Sequence, residues 1–154
     1  SKMFALPDMK LGWIVMNNKA AKLYGERLEI LNDTFLGANG LSQHSLPTMF
    51  TNSRAFIRNM CDSVKEKQIL AVALLSTCKA FKVQMPQAGY YLFPELSNTC
   101  DEEKVVLDLI DRGILVHPGY FYGSYGRPHL MISCLVNKSD LESGLHILHS
   151  YFSR

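Results

Sequence analysis

The residues whose types and spacing most suggest chemistry lie at the start of the chain. Lys2 follows Ser1, and Lys10 follows eight residues later, after a short apolar run that ends at Pro7 and Asp8. A neutral lysine amine is a nucleophile toward carbonyl groups, and a lysine cation can neutralise a phosphate. Isolated lysines near a chain start are usually solvated, so the two residue types alone leave a plain surface role open.

This segment resembles the cofactor-lysine segment of class I/II aminotransferases, which are pyridoxal-phosphate enzymes of fold type I. The resemblance implies that Lys2 is the catalytic residue, which binds the cofactor aldehyde covalently and later carries the substrate proton. It also implies that Lys10 holds the cofactor phosphate and that Ser1 is a further cofactor-binding position. The family normally has arginine where Lys10 stands, and lysine lacks the two-pronged guanidinium fork.

Two later segments resemble the same family in the same order. Residues 86–93 are Pro-Gln-Ala-Gly-Tyr-Tyr-Leu-Phe, and residues 117–123 are His-Pro-Gly-Tyr-Phe-Tyr-Gly. In the family, a strand that ends at proline-glycine leads into an aromatic-glycine turn close to the substrate. The resemblance therefore makes Tyr120 and Tyr122 candidates for substrate binding, with plain core packing as the alternative.

The segment at residues 128–133 departs from the family at Met131. Relatives usually have arginine at this position, where it binds the substrate α-carboxylate through a bidentate ion pair, whereas methionine has no donor. Either Arg127, four residues earlier, binds the substrate acid, or the protein does not act on ordinary α-amino acids. A solvated loop arginine and a core methionine are the alternatives for these two residues.

Composition limits the class of protein. The chain has 154 residues, 47% of them apolar and 19% charged, so it can bury a core in one domain, or in a small domain with part of another. The net charge of +2 comes from scattered cations, which argues against nucleic-acid binding. The sequence has no apolar run long enough to span a membrane. The four cysteines form no CxxC pair, which argues against a metal site and predicts reduced thiols in a cytoplasmic protein.

Hydrophobic periodicity predicts the elements that would position these residues. A strand is predicted at 11–16, directly after Lys10, and a helix at 19–31. The following residues, as far as Gln43, are rich in turn formers and are predicted to be an irregular connector. A long helix is predicted at 53–79, and two neighbouring antiparallel strands, 81–85 and 89–93, are predicted after it.

Two capping boxes, each pairing a hydroxyl residue with a glutamate three positions later, predict the remaining helices. The pairs are Thr99 with Glu102 and Ser139 with Glu142. The first of these helices is expected to end at Gly113, and strands are predicted at 114–116 and 130–136. The order of elements fits an α+β fold (an α/β sandwich), in which helices cover a small antiparallel sheet.

The resemblance divides these elements into two parts. Residues 1–45 would be the C-terminal remnant of a large cofactor-binding domain with its connector, and residues 46–154 would be a small C-terminal α+β domain. The chain is then expected to be the C-terminal part of a longer enzyme and inactive by itself. The residues that contact the cofactor ring would lie in the N-terminal large domain, which the chain lacks.

For the complete protein, the resemblance implies a pyridoxal-phosphate-dependent aminotransferase that is a homodimer. Its substrates would be an amino acid and a 2-oxo acid, between which it transfers an amino group. Two alternatives remain open. One is another fold type I reaction, such as that of a lyase or decarboxylase, and the other is a non-catalytic interaction module on the same fold.

Overall fold

The computed structural model of the protein describes residues 2–97 and 100–153. The chain divides into two units, residues 1–60 and residues 61–154. Ser1 and Thr99, which two of the predictions involve, lie outside the described residues. Within the described ranges, no helix combines the length and the apolar character needed to cross a membrane.

Helices form most of the first unit. Helix α1 spans Asn18–Thr34, and the side chain of Asn17 caps it by accepting a hydrogen bond from the third amide along. This helix confirms the one predicted at 19–31 and is longer by about one turn. Helix α2 spans Gly40–Asn52 and is capped in the same way by Asn39.

Two predictions for this unit are wrong. Residues 11–16 have no regular secondary structure, because a strand needs a neighbour for its hydrogen bonds and none of the described strands pairs with them. Residues 40–43, predicted to be irregular, form the first turn of α2. Asparagine favours helix caps as well as turns, so Asn39 has the same signature in either role.

Helix α3 spans Arg54–Leu75 and confirms the long helix predicted at 53–79, although it ends four residues earlier. Its buried side chains in the second unit include Ala71 and Leu75, which are fully buried. Two polar side chains of α3 bond distant backbone atoms. Lys67 Nζ donates to the Val136 carbonyl at 2.9 Å, and Gln68 Nε2 donates to the Gly89 carbonyl at 3.1 Å.

Among the described residues of the second unit, five short strands pair in antiparallel fashion. They are β1 (Phe81–Lys82), β2 (Tyr91–Leu92), β3 (Glu95–Leu96), β4 (His117–Pro118) and β5 (Leu130–Ser133). Strand β1 pairs with β3, and β5 lies between β2 and β4. A single bridge between Glu95 and His129 links the two sheets.

The predicted segments 81–85 and 89–93 each contain a strand, but the predicted pairing of these two strands is wrong. The segments 81–85 and 89–93 do not pair with each other, because β1 pairs with β3 and β2 pairs with β5. The residues between β1 and β2 form a loop that contains Pro86, which cannot donate to a ladder. The strand predicted at 114–116 is also displaced, since β4 begins three residues later. Strand β5 confirms the start of the one predicted at 130–136.

Both remaining helices are present, but neither has the predicted cap. Helix α4 spans Glu102–Ile110, and its N-cap is Asp101, which accepts from two amides of the first turn. Helix α5 spans Lys138–Phe152 with Asn137 at the N-cap position, so Ser139 lies inside the helix. Gly113 follows α4 with a φ of +81°, as expected for a glycine that ends a helix.

The core of the second unit lies between one face of the sheet and the helices. Leu130 of β5, Leu109 of α4 and Leu145 of α5 are at most 2% exposed and belong to one buried cluster with α3. This arrangement confirms the predicted α+β fold. The alternate residues of β5, Met131 and Ser133, are half-buried on the opposite face of the sheet.

Candidate functional site

The first group of candidate residues lies in the first unit, where Lys2 borders a cavity of 290 Å³. Its other lining residues are Met3, Phe4, Leu6, Met9, Leu11, Gly12, Trp13, Ser42, Leu46 and Met49. Lys2 is the one ionisable residue in this set, and the rest of the lining is almost entirely apolar. Lys2 is exposed to solvent, so the cavity is an apolar depression with one lysine at its border.

Local turns form this cavity. The Ala5 amide donates to the Lys2 carbonyl at 3.4 Å, and the Met9 amide donates to the Leu6 carbonyl at 3.2 Å. The ring of Phe4, the one buried apolar side chain among the described residues of this unit, lies 5.2 Å from the ring of Phe50. Aromatic packing of this kind holds the start of the chain against α2.

These residues fit part of what pyridoxal phosphate requires. Lys2 would supply an amine for the aldehyde, and the apolar lining would suit a planar ring. Lys10 is exposed and is not among the lining residues, so its predicted role at the phosphate rests on its charge and its place in the sequence segment alone. The lining has no carboxylate to pair with a pyridine nitrogen. Lys2 and Lys10 would thus hold two ends of the cofactor, and their roles stay predictions.

The second group of candidates lies in the second unit. Arg127 Nη1 donates to Glu95 Oε1 at 2.5 Å, and Lys82 Nζ lies 3.9 Å from the other oxygen of the same carboxylate. The hydrogen bond from Arg127 lowers the pKa of Glu95, and the same pairing raises the pKa of Arg127. A substrate carboxylate would have to compete with Glu95 for this guanidinium.

Tyr120 shares a cavity with Arg127. The cavity has a volume of 360 Å³ and is lined on one side by acidic residues at the start of α4 and on the other by residues 124–128. Burial raises the pKa of Tyr120, and the negative charges of Glu103, Glu102 and Asp101 raise it further. Its phenol is therefore a neutral hydrogen-bonding group at physiological pH.

Tyr122 lies elsewhere, beside the sheet. Its hydroxyl is 2.7 Å from His117 Nδ1, and the two rings are nearly parallel with centroids 6.1 Å apart. His117 is the cross-strand partner of Met131, so both side chains are on the half-exposed face of the sheet. The structure thus brings Tyr120 and Arg127 to one cavity and places Tyr122 with His117 and Met131.

Sequence reasoning gave no functional role to two residues of these surroundings. His117 belongs to the motif at residues 117–123 without a role of its own there, and in the structure it lies beside Met131 on the half-exposed face. Glu102 was expected to complete a capping box, yet its carboxylate bonds the backbone amides of Tyr120 and His129. The proline-glycine-aromatic motif pointed to the region of His117. No local signal distinguishes the observed bonds of Glu102 from a cap.

The comparisons with known proteins agree with this fold. A family model described as aminotransferase class I and II matches residues 1–148. The probable aspartate aminotransferase of Methanocaldococcus jannaschii is 25% identical over 99% of this chain and 41% of its own length. The glutamate-pyruvate aminotransferase AlaA of Escherichia coli is 27% identical over 94% of this chain and 38% of its own length.

Solved structures give the same result. An aminotransferase from Escherichia coli superposes with a TM-score of 0.77 at 26% identity, covering 89% of this chain and 36% of that one. An aspartate aminotransferase from Thermus thermophilus, solved with maleate, has a TM-score of 0.80 at 19% identity over 97% of this chain and 39% of its own; it shares the fold. The chain belongs to the class I and II aminotransferase family, and it spans about two fifths of the length of the curated relatives it matches.

Proposed function

We propose that the complete polypeptide is a pyridoxal-phosphate-dependent aminotransferase, which transfers an amino group between an amino acid and a 2-oxo acid. Family membership over residues 1–148 supports this assignment. The observation that carries it to particular residues is the cavity that Lys2 borders, in which Lys2 is the one ionisable lining residue. A lysine so placed is the group that a carbonyl-bearing cofactor needs.

The residues of this chain would divide the work as follows. Pyridoxal phosphate, when bound, supplies an aldehyde and an electron-accepting ring. Lys2 would hold the cofactor aldehyde through Nζ, and its Nζ would also carry a proton to and from the substrate α-carbon. Lys10 would neutralise the phosphate, and the apolar side chains of the cavity would border the cofactor ring. Tyr120 and Arg127 bind the substrate, with Nη1 of Arg127 oriented by Glu95.

The exposed apolar residues of the first unit support a larger protein around this chain. Helix α1 has no buried residue, and Trp13, Ile14 and Val15 are all more than half exposed. Contiguous apolar exposure of this kind is typical of a surface that another domain or subunit covers. We propose an N-terminal large domain as the cover, a homodimer as the assembly and the cytoplasm as the location. The 154-residue chain alone would bind the cofactor weakly and lack transaminase activity.

One observation keeps open the alternative of a lyase or decarboxylase on the same scaffold. Arg127 is already paired with Glu95, and Met131 has no donor for a carboxylate, so neither residue offers an unpaired cation to an α-amino acid. This alternative keeps the same roles for Lys2 and Lys10. It differs in what happens to the substrate after binding.

The complete polypeptide, incubated with pyridoxal phosphate and then with borohydride, tests the proposal. Peptide mapping should find the cofactor attached to Lys2, and an amino acid with a 2-oxo acid should then exchange their amino group. Lys2→Ala should reduce turnover at least about a thousandfold, because it removes both the attachment and the proton carrier. Lys19→Ala, at the exposed start of α1, is the matched control and should leave turnover unchanged.

Three outcomes separate the possibilities. Attachment at another lysine would contradict the assignment of Lys2. Attachment at Lys2 without amino-group transfer, but with loss of carbon dioxide or elimination, would favour the decarboxylase or lyase. No attachment at all would favour the non-catalytic interaction module.

A further inference from the structure

Glu102 is a buried carboxylate to which the proposed chemistry gives no role. It is the first residue of α4 and is 8% exposed. Its Oε2 accepts a hydrogen bond from the Tyr120 amide at 3.0 Å, and its Oε1 accepts one from the His129 amide at 2.7 Å. Bonds from amides to a buried carboxylate are charge-assisted, and the N-terminus of a helix favours the negative charge.

The amides of Tyr120 and His129 lie near the two ends of one segment, residues 119–129, which we call the aromatic loop. The ends also bond each other directly, since the Gly119 amide donates to the His129 carbonyl at 2.8 Å. A Cβ at Gly119 would lie 2.7 Å from His129 Cβ and 3.1 Å from Glu102 Oε1, so the close approach requires glycine. Glu102, Gly119 and His129 therefore form one tightly packed clamp.

The clamp bears on the candidate site because the aromatic loop carries Tyr120 and Arg127. Both line the 360 Å³ cavity beside α4. Tyr120 directly follows one end of the clamp, and Arg127 lies two residues before the other. Their backbone positions therefore depend on the same carboxylate.

We infer that Glu102 is the positioning residue of the aromatic loop: its carboxylate holds both ends of the loop and so sets where Tyr120 and Arg127 meet the substrate. The role is exerted through the backbone amides of Tyr120 and His129. The part that concerns the substrate rests on the proposed function. The part that concerns the loop stands on the hydrogen bonds alone.

Hydrogen exchange in the complete polypeptide tests the clamp without any activity. Glu102→Gln keeps one carbonyl acceptor but turns an NH₂ group toward the second amide. Peptides that contain the Tyr120 and His129 amides should then exchange at least about tenfold faster. Glu103→Gln removes the same charge from the same turn of α4, and it should leave these amides within about twofold of wild type because Glu103 makes no such bond among the described residues. Equal exchange in the two variants would overturn the inference.

A second variant tests the same contacts independently, in case Glu102→Gln does not fold. Gly119→Ala should reproduce the faster exchange, because its Cβ displaces His129 or Glu102, and the double variant should be no worse than either single change. Gly126→Ala, in the same loop, meets no atom within 4 Å and is the control. Additive effects of Gly119→Ala and Glu102→Gln would show that they do not act on one clamp.

Steady-state kinetics then test whether Glu102 positions Tyr120 and Arg127 for substrate binding. Glu102→Gln should raise KM for the amino substrate by about tenfold while kcat and cofactor binding change by less than about twofold, because only binding groups move. Faster exchange with an unchanged KM would overturn the positioning of substrate contacts. If the wild-type protein transfers no amino group, the proposed function fails, and the exchange experiment still decides the clamp.

Discussion

The two units bury apolar surface very differently. Among the described residues, Phe4 is the one buried apolar side chain of the first unit, and α1 has none. Within the part of the second unit that the structure describes, one core contains sixteen buried residues from α3, the two sheets, α4, α5 and the loops between them. Since burial of apolar surface is the main driving force of folding, the second unit has its own source of stability, whereas the first unit has little of this kind.

Hydrogen exchange should show this difference most strongly. In the isolated chain, amides of α1 should exchange at least about a thousandfold faster than those of α4, because opening α1 exposes little buried surface. In the complete polypeptide, α1 should become protected while α4 changes little. Equal protection of the two helices in the isolated chain would show that the first unit is stable alone.

Truncation of leucine side chains should destabilise the second unit much more than the first. Leu109→Ala in the second unit should lower the free energy of unfolding by about 2–5 kcal/mol, since the side chain is fully buried. Two exposed leucines serve for comparison. The side chain of Leu107, on the same helix, is 56% exposed, and that of Leu31, on α1, is 51% exposed; each is replaced by alanine. Both should change stability by about 0.5 kcal/mol or less. Urea titration measures all three, and a large loss for Leu31→Ala would show a hidden core in the first unit.

Thiol labelling should report the closed core of the second unit. Cys134 is fully buried, and burial raises the pKa of its thiol, which lowers the reactive thiolate fraction at pH 8. It should react with a thiol reagent at least about a hundredfold more slowly than the exposed Cys61. In concentrated urea, the two rates should converge. Rapid labelling of Cys134 in native buffer would contradict the packing around β5.

The smallest effect is expected at the ion pair of Arg127. Its guanidinium holds the pKa of Glu95 below its ordinary value, so the pair adds stability above the unfolded-state pKa, and this stability is lost as the pH falls through the lowered value. Arg127→Ala should therefore be slightly less stable than wild type at pH 7, and its deficit should be smaller at pH 3. The effect is small because the Arg127 side chain is 70% exposed.

Urea titrations at the two pH values measure this difference. Lys82→Ala is the control, because Lys82 lies 3.9 Å from Glu95, farther than Arg127, and it should show an even weaker pH dependence. A larger deficit of Arg127→Ala at pH 3 than at pH 7 would contradict the pairing.

Some of this structure follows from local sequence. The helices α1, α3, α4 and α5 were predictable because the period of their apolar residues is set within each segment. Gly113 was predictable because a left-handed residue after a helix favours glycine. The family was also predictable, because its motifs are short runs of consecutive residues. These features need no knowledge of distant contacts.

The remaining features depend on residues far apart in the chain. Strand β1 pairs with β3 rather than with the next strand, and the register of two-residue strands has no local signal. Glu102 does not form the predicted capping box, because its carboxylate accepts hydrogen bonds from amides eighteen and twenty-seven residues away. Arg127 meets Glu95 thirty-two residues away. Helix periodicity is a property of neighbours, whereas the partners of a charged side chain are decided by the packing of the whole unit.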